Sequence, residues 1–386
     1  MQARELDGVT VLPDDVLLNI TGDSVARVTM APRSVAPARV NQHVAIIRPN
    51  PEQLNPHYLY YYLLSPYMQD FMLGLSSGGG TRQALTKGMI ESFEIPCPTL
   101  SRQKEISSIL ASLDAKRESN RALANTLEEM SQALFKSWFV DFDPVVAKSE
   151  GRKPFGMSDD IAALFPDSFE ESELGAVPKG WKTSAASDLL SILSGGTPKT
   201  STSEYWDGAI PWFSVVDTPA PGEVFVLDTE KKITELGVQK SAATIYPAGT
   251  TIITARGTVG NVAMMGRPMA FNQSCYGLQG KEYFDGAYTY FLAKHIVEEL
   301  KLIAHGSVFD TITRDSFDSI KVCKPPCTVV ERFSAAVVLM LEKIKATVKE
   351  SRTLQAMRNA LLPQLLSGEI ALEKEMTTQV TEPTAA

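Results

Sequence analysis

The segment SGGTPKTS, Ser194 to Ser201, brings two glycines, a lysine and several hydroxyls together, the composition of a phosphate-binding loop. Such a loop needs four residues between its glycines and a Gly-Lys-Ser/Thr order, so that successive backbone N–H groups can wrap the phosphates. Here the glycines are adjacent and a proline precedes the lysine, so nucleotide binding does not follow. Other catalytic patterns fail in the same way. No Asn-Pro-Pro-aromatic tetrapeptide offers a methyltransferase base pocket, and no glycine-rich strand-loop-helix holds a methyl donor. The acidic residues form no nuclease cluster around a lysine, and no Gly-x-Ser-x-Gly elbow occurs. Cys97, Cys275, Cys323 and Cys327 are scattered; the last two flank Pro-Pro, with no second pair and no histidines clustered nearby. That spacing reads as plain reduced thiols rather than a zinc site, and no metal is expected on this chain. Chemistry by this chain alone is therefore not expected, and its polar residues are read as binding groups.

The elements that would position them fall into two similar halves. LEEMSQALFKSWF, Leu127 to Phe139, returns as LQAMRNALLPQLL, with Leu127, Met130, Ala133 and Leu134 recurring as Leu354, Met357, Ala360 and Leu361. Each copy closes a long apolar-periodic segment that follows a proline-bearing strand end, FEIPCP in one half and IKVCKP in the other. Upstream, Pro13 and its strand match Pro247 and TTIIT, Asn41-Gln42 match Asn272-Gln273, and Tyr58 and Tyr60 match Tyr288 and Tyr290. Gly79 and Leu85 match Gly306 and Ile312. Nothing in the first half matches Trp181 to about Thr234, so a first module short of some 55–60 residues is expected, through a clipped start or a true short form.

The expected class is α+β: two mixed globular modules and two long coiled-coil helices. The expected boundaries are a first module over 1–100, a first long helix over 101–141, and a connector over 142–177. A second module over 178–326, a second long helix over 327–367 and an acidic tail over 368–386 complete the chain. In the first module, strands are expected at VTVL, DVLLNIT, VNQHVAIIRP and FEIPCP, and one helix over NPHYLYYYLLSPYMQDFMLGL. In the second, strands are expected around Ala209–Val216, Thr250–Thr254, Gln273–Gln279 and Ile320–Val322, a helix over Ala287–Ala304, and a turn over Ser307–Arg314. The seam of the first long helix is read through Ile106, Ile109, Leu113, Leu123, Leu127, Met130 and Leu134, broken by Lys116 and Asn120. About 40 residues of helix make a rod of roughly 60 Å, and polar residues on a seam fix its register. Pro363 lies near the end of the second helix and Gly368 closes it. Phe142, Phe155, Phe165 and Phe169 suggest that the connector packs along a neighbour.

The formal net charge of −8 argues against a polyanion partner only if it is evenly spread. It is not. Phe142 to Leu174 carries eight acidic residues against three basic ones, and the tail after Ser367 adds Glu369, Glu373, Glu375 and Glu382. The modules and helices are left near neutral, so a local basic face is permitted. No stretch of about 20 apolar residues is present, nor a basic-then-apolar N-terminal signal. A cytoplasmic protein with no membrane partner is expected.

The repeat, the two long helices and the missing catalysis, taken with several motifs, resemble the specificity subunit of type I restriction–modification systems. The motifs are Gly180-Trp181, SGGTPKTSTSEYWDGAIPWFSVVD, ARGTVGNVAM, FNQSCYGL, ALFKSWFVDFDPV, FPDSFEESELGAVPKGW and LLPQLLSGEI. The resemblance spans nearly all of the chain after about residue 9. It implies that each module is a target recognition domain reading half of a split double-stranded DNA sequence. The helices would then pack antiparallel as a coiled coil, set the half-site distance and dock two methyltransferase (modification) subunits, with restriction/translocase subunits added. S-adenosylmethionine, ATP and Mg2+ would belong to those partners and none to this chain. Two reading heads about one turn, near 34 Å, apart can engage separated half-sites.

Under that resemblance, the DNA-binding candidates in the second module are Thr197, Lys199, Tyr205, Trp206, Arg256, Asn272, Gln273 and Ser307. Lys199, on a Gly-Pro loop, could reach phosphate or be a solvated lysine. Arg256, after a strand and before Gly257, could read guanine or form a structural salt bridge. Asn272-Gln273 could serve the DNA or a turn; Trp206 and Trp212 could be packing aromatics. In the first module the glycine turn offers Thr81, Arg82 and Lys87. The docking candidates are Leu113, Leu123, Leu127, Met130, Leu134, Leu341, Leu354, Met357 and Leu361. A second reading is a truncated scaffold or decoy that binds methyltransferase without specifying a full bipartite site. The recognised bases, the spacer length and the true start are not legible in one sequence.

Overall fold

The computed structural model describes residues 10–34, 36–77, 84–303 and 311–370. The chain forms two compact units, one from residues up to Glu118 and from Ser351 onward, the other from Ser119 to Glu350. Among the described residues no helix is long and apolar enough to cross a membrane.

The first unit is built on a three-stranded antiparallel sheet in the order Val28–Met30, Val16–Asn19, Val44–Ile47. On its central strand Val16 and Leu18 are fully buried while Leu17 and Asn19 are half-buried, the period of two that a one-faced sheet requires. Leu59, Leu63, Met68 and Met72 cover the buried face. They come from two helices, Pro56–Leu63 and Pro66–Ser77, not from the single helix expected. Pro66 has no N–H to donate and disfavours helical geometry at Ser65; the Ser65 hydroxyl then accepts from Met68 N–H at 3.3 Å and starts the second helix. FEIPCP is not a strand. Its counterpart Lys321–Lys324 pairs with Lys182–Ala185, whereas Phe93–Pro98 has no strand beside it among the described residues. Buried Gln103 holds it instead, donating to Pro98 O at 2.8 Å and accepting from Asn55 N–H at 2.7 Å. Segments of both long helices complete the unit: Ile106 and Leu110 pack with Leu362 and Leu365 around Tyr58 and Tyr61. Asp114 accepts from Tyr61 Oη at 3.0 Å and from Arg358 at 3.0 Å.

The second unit carries a five-stranded sheet in the order Phe225–Val226, Val262–Met265, Thr251–Thr254, Cys275–Gly280, Leu190–Ser194. Beside it Trp206–Phe213 pairs with Lys232–Ile233 and, in parallel, with Ala270–Phe271. The helix Gly286–Ile303 buries Tyr288, Tyr290, Phe291, Leu292 and Ile296. Ser119–Phe139 and Cys327–Glu350 of the two long helices supply the other wall. Phe135, Trp138 and Phe139, the aromatic end of the first repeat copy, meet Phe333 at centroid distances of 5.7, 6.1 and 5.1 Å. The connector is part of this core: Phe165 is 5.3 Å from Trp138, and Phe142 is 5.9 Å from Trp181. Phe155 is the exception, fully exposed on a turn before Gly156, whose φ is +67°.

The long helices run over Leu100–Phe139 and Cys327–Ser367, the second ending at Gly368 with φ +81°. Within each unit they are antiparallel: Asp114 meets Arg358 in the first, and in the second Asn120 donates to Glu350 at 2.8 Å while Phe135 meets Phe333. The seam differs from the apolar stripe of the sequence. Ile106 and the polar Asn120 are in it, but the other buried positions are Gln103, Ser107, Leu110, Ala124, Ser131, Phe135, Trp138 and Phe139, whereas Leu123 and Met130 are exposed. Small and polar side chains (Gln103, Ser107, Asn120, Ala124 and Ser131) alternate there with the large apolar Ile106, Leu110, Phe135, Trp138 and Phe139.

The two sheets repeat each other in register. Val16↔Ile47 through Asn19↔Val44 in the first corresponds to Thr251↔Leu278 through Thr254↔Cys275 in the second.

Candidate nucleic-acid interface

At one end of the five-stranded sheet, three chain segments leave neighbouring strands together. Thr254 pairs with Cys275, and the next residue of that strand, Tyr276, pairs with Ser194. Arg256 therefore emerges beside Gln273 and the GGTP loop. The Arg256 turn is held internally: Thr254 Oγ1 donates to Thr258 O at 2.6 Å and accepts from Asn261 N–H at 2.9 Å. Gly257 and Gly260 take φ of +79° and +86°, backbone that a side chain disfavours. Arg256 itself is exposed and makes no ion pair among the described residues. A guanidinium on a rigid turn, with its donors unspent, fits a base edge or phosphate.

The GGTP loop is pressed onto the sheet. Gly196 N–H donates to Phe271 O at 2.9 Å, and Trp212 Nε1 donates to Gly196 O at 2.9 Å. A Cβ at Gly195 would fall on the Asn272 carbonyl oxygen and the Phe271 ring, so the glycines serve close packing. This leaves Lys199 exposed and brings the Thr197 hydroxyl to Gln273 Oε1 in a hydrogen bond. Thr197, Lys199, Arg256 and Gln273 thus lie on loops at one end of the sheet. Asn272 sits with them, but its Oδ1 accepts from Ser274 N–H at 3.0 Å and shapes the turn.

The remaining candidates serve packing or fall elsewhere. Trp206 lies edge-on to Trp212 at 5.1 Å and donates to Lys199 O at 3.3 Å, fixing the lysine's loop. Tyr205 is half-buried, its carbonyl accepting from Thr234 N–H at 3.0 Å. Ser307, Thr81 and Arg82 lie outside the described residues. Lys87 opens a short helix, Lys87–Glu91, and pairs with Glu91 at 3.5 Å. Arg314, not anticipated, belongs to the site: exposed at the start of helix Arg314–Ser319, it donates to Ser194 Oγ at 3.0 Å. The strand bridge Arg256↔Thr311 brings its segment to the sheet end. No local pattern marks it, since the bridge joins residues far apart in sequence.

The site's body is fixed to the first long helix by Glu128. Its carboxylate accepts from Tyr290 Oη at 2.6 Å, Lys294 Nζ at 2.6 Å and Gly222 N–H at 3.1 Å. Burial, reinforced by the neighbouring Glu128 charge, pushes the Tyr290 hydroxyl well above its ordinary range, so it remains a donor. A cavity of about 310 Å³ beside Glu128 and its three partners is also lined by Pro221, Gly260, Asn261 and Lys301, reaching the back of the Arg256 turn.

Of the docking candidates, Leu341 is buried in the core and cannot meet a partner. Leu127 and Leu134 are partly buried against the core; Leu113, Leu354 and Leu361 are half-buried. Leu123, Met130 and Met357 are exposed.

Residues 10–129 and 178–329 match the type I restriction modification DNA specificity domain. The chain is 28% identical over 374 residues to the type I restriction enzyme HindI specificity subunit of Haemophilus influenzae, covering 86% of this chain and 81% of that protein. It is 26% identical over 330 residues to the MjaIX specificity subunit of Methanocaldococcus jannaschii, covering 82% and 69%. Among solved structures, the S subunit of a type I restriction–modification system from M. genitalium shares the fold. Its TM-score is 0.53 at 16% identity, over 92% of this chain and 84% of that one.

Proposed function

From the premise that this chain belongs to the type I restriction–modification DNA specificity family, we propose that it reads a split sequence in double-stranded DNA, one half per unit. It presents that DNA to methyltransferase and restriction subunits and performs no chemistry itself. The methyl donor, ATP and Mg2+ act on those partners. The observation that carries this reading is the sheet end of the second unit, where exposed Arg256, Lys199 and Gln273 stand on loops braced by Thr254, Trp206 and the two glycines. Arg256 and Gln273 would contact base edges; Lys199 and Arg314 would contact phosphate. The exposed Leu123, Met130 and Met357 are the anchors we assign to partner subunits.

Two variants test the interface. Arg256→Ala should cost about 1–3 kcal/mol of specific binding and relax one base position. Lys199→Ala should weaken all sequences alike and reduce the salt slope by about one. Titrations of the full chain against a duplex library at several salt concentrations read both. Unchanged preference and salt slope in both variants would remove this face as the interface.

A further inference from the structure

The first unit contains the same sheet end with different side chains. Ile20 N–H donates to His43 O at 2.8 Å, as Ala255 N–H donates to Ser274 O at 2.9 Å. Leu85 N–H donates to Ile20 O at 2.8 Å, as Ile312 N–H donates to Ala255 O at 3.0 Å. The bridge Thr21↔Ala84 corresponds to Arg256↔Thr311. Asn41 Oδ1 accepts from His43 N–H at 3.0 Å, as Asn272 Oδ1 does from Ser274 N–H at 3.0 Å. Gly22, at φ +75°, stands where Gly257 stands at +79°. The turn is again tied by its strand's last residue, Asn19 Nδ2 donating to Ser24 Oγ at 2.6 Å. Thr21 therefore occupies the place of Arg256, and Asn41-Gln42-His43 that of Asn272-Gln273-Ser274.

Thr21 is too short to do what Arg256 does. Its hydroxyl is instead bonded to His43 Nδ1 at 2.6 Å. His43 is exposed, and with Nδ1 engaged, its Nε2 has no partner among the described residues. We infer that His43, oriented by Thr21, is the base-reading residue of the first unit. It makes one imidazole contact where the second unit uses a forked guanidinium. A threonine hydroxyl both donates and accepts, so either ring tautomer is supported. Nε2 can donate to a purine N7 or guanine O6, or accept from an adenine or cytosine amino group. Thr21 is the positioning residue. This inference rests on the reading of the sheet end as the DNA interface. It stands beside the glycine-turn candidates Thr81 and Arg82, which lie outside the described residues.

The test selects a randomised duplex library on the full chain and on its His43→Ala, His43→Gln, Thr21→Val, Thr21→Ser and Arg256→Ala variants, with thermal unfolding alongside. His43→Ala should reduce discrimination at a position in one half of the motif by roughly five- to tenfold and leave the other half intact. His43→Gln should change the preferred base there. Thr21→Val should weaken the same position, and Thr21→Ser should not. Arg256→Ala should relax the other half alone. If Arg256→Ala changes the motif while both His43 variants leave it unchanged, the inference fails and the interface stands. If His43→Ala weakens every sequence equally, His43 is a phosphate contact and the inference also fails. If none of these variants alters the motif, the interface reading itself fails.

Discussion

Asp15 shows how much one side chain can hold in a small sheet. It is 2% exposed and takes Arg48 Nε at 2.6 Å, Arg48 Nη2 at 2.7 Å and Leu12 N–H at 2.7 Å. Burial pushes its carboxyl up, but the Arg48 hydrogen bonds, the Leu12 N–H and the Arg48 charge together bring it below its ordinary value. A depressed carboxyl stabilises the fold above the unfolded-state value near 4, and that contribution is lost as pH falls through the lower folded-state value. Asp15→Ala should lower the stability of the first unit by about 2 kcal/mol at neutral pH. In urea unfolding, the gap from wild type should shrink as pH falls below about 4. Glu128→Ala should cost about 2–3 kcal/mol, since it leaves Lys294 and Tyr290 without their acceptor; thermal unfolding of the second unit would show it. Neither carboxylate announces itself in the sequence, because burial of a charge is set by partners far along the chain. The exposed loop positions of Arg256 and Lys199 were legible because a strand end and a Gly-Pro loop are local signals. The Thr21–His43 hydrogen bond was hidden, although the matched Asn-Gln pairs stand beside it.

Among the elements, strands and helices were legible to within a few residues where apolar period and caps agreed. The helix expected over Ala287–Ala304 runs over Gly286–Ile303, and the strand expected over Thr250–Thr254 runs over Thr251–Thr254. The seam of the first long helix was legible only in part, at Ile106, Ile109, Asn120, Leu127 and Leu134. Apolarity marks Leu123 and Met130, yet the neighbouring Ala124 and Ser131 are the buried positions there. Leu110→Ala should therefore cost about 2–4 kcal/mol, while Leu123→Ala should stay within about 1 kcal/mol. Chemical denaturation of the two variants separates them. If Leu123→Ala leaves stability intact but weakens methyltransferase assembly in a pull-down with that subunit, its exposure has a use. Gly195→Ala should dislodge the GGTP loop from Asn272 and Phe271, reducing specific binding more than stability.

The whole molecule is two units threaded by one chain, and its discontinuity was not visible in the sequence. Along the sequence the repeat reads as module, helix, module, helix. The contacts instead gather the head of the chain with residues from Ser351 onward, through Leu362 and Leu365 against Tyr58 and Ile106, and through Arg102 Nη2 to Ile370 O at 2.7 Å. Truncation after Glu350 should leave the second unit folded and strip the first of its Tyr58–Leu110 partners. Limited proteolysis should then cut within residues 10–118 while sparing 119–350.

That closure by Leu362, Leu365 and Ile370 also fixes an order of events on the ribosome. The second unit emerges as one uninterrupted stretch and can fold as soon as Glu350 clears the exit tunnel. The first unit, although synthesised earlier, must wait with Tyr58, Tyr61, Ile106 and Leu110 uncovered until the last turns of the second long helix arrive. The half of the protein made first is the half finished last, and during that interval its apolar surface is what a chaperone would hold.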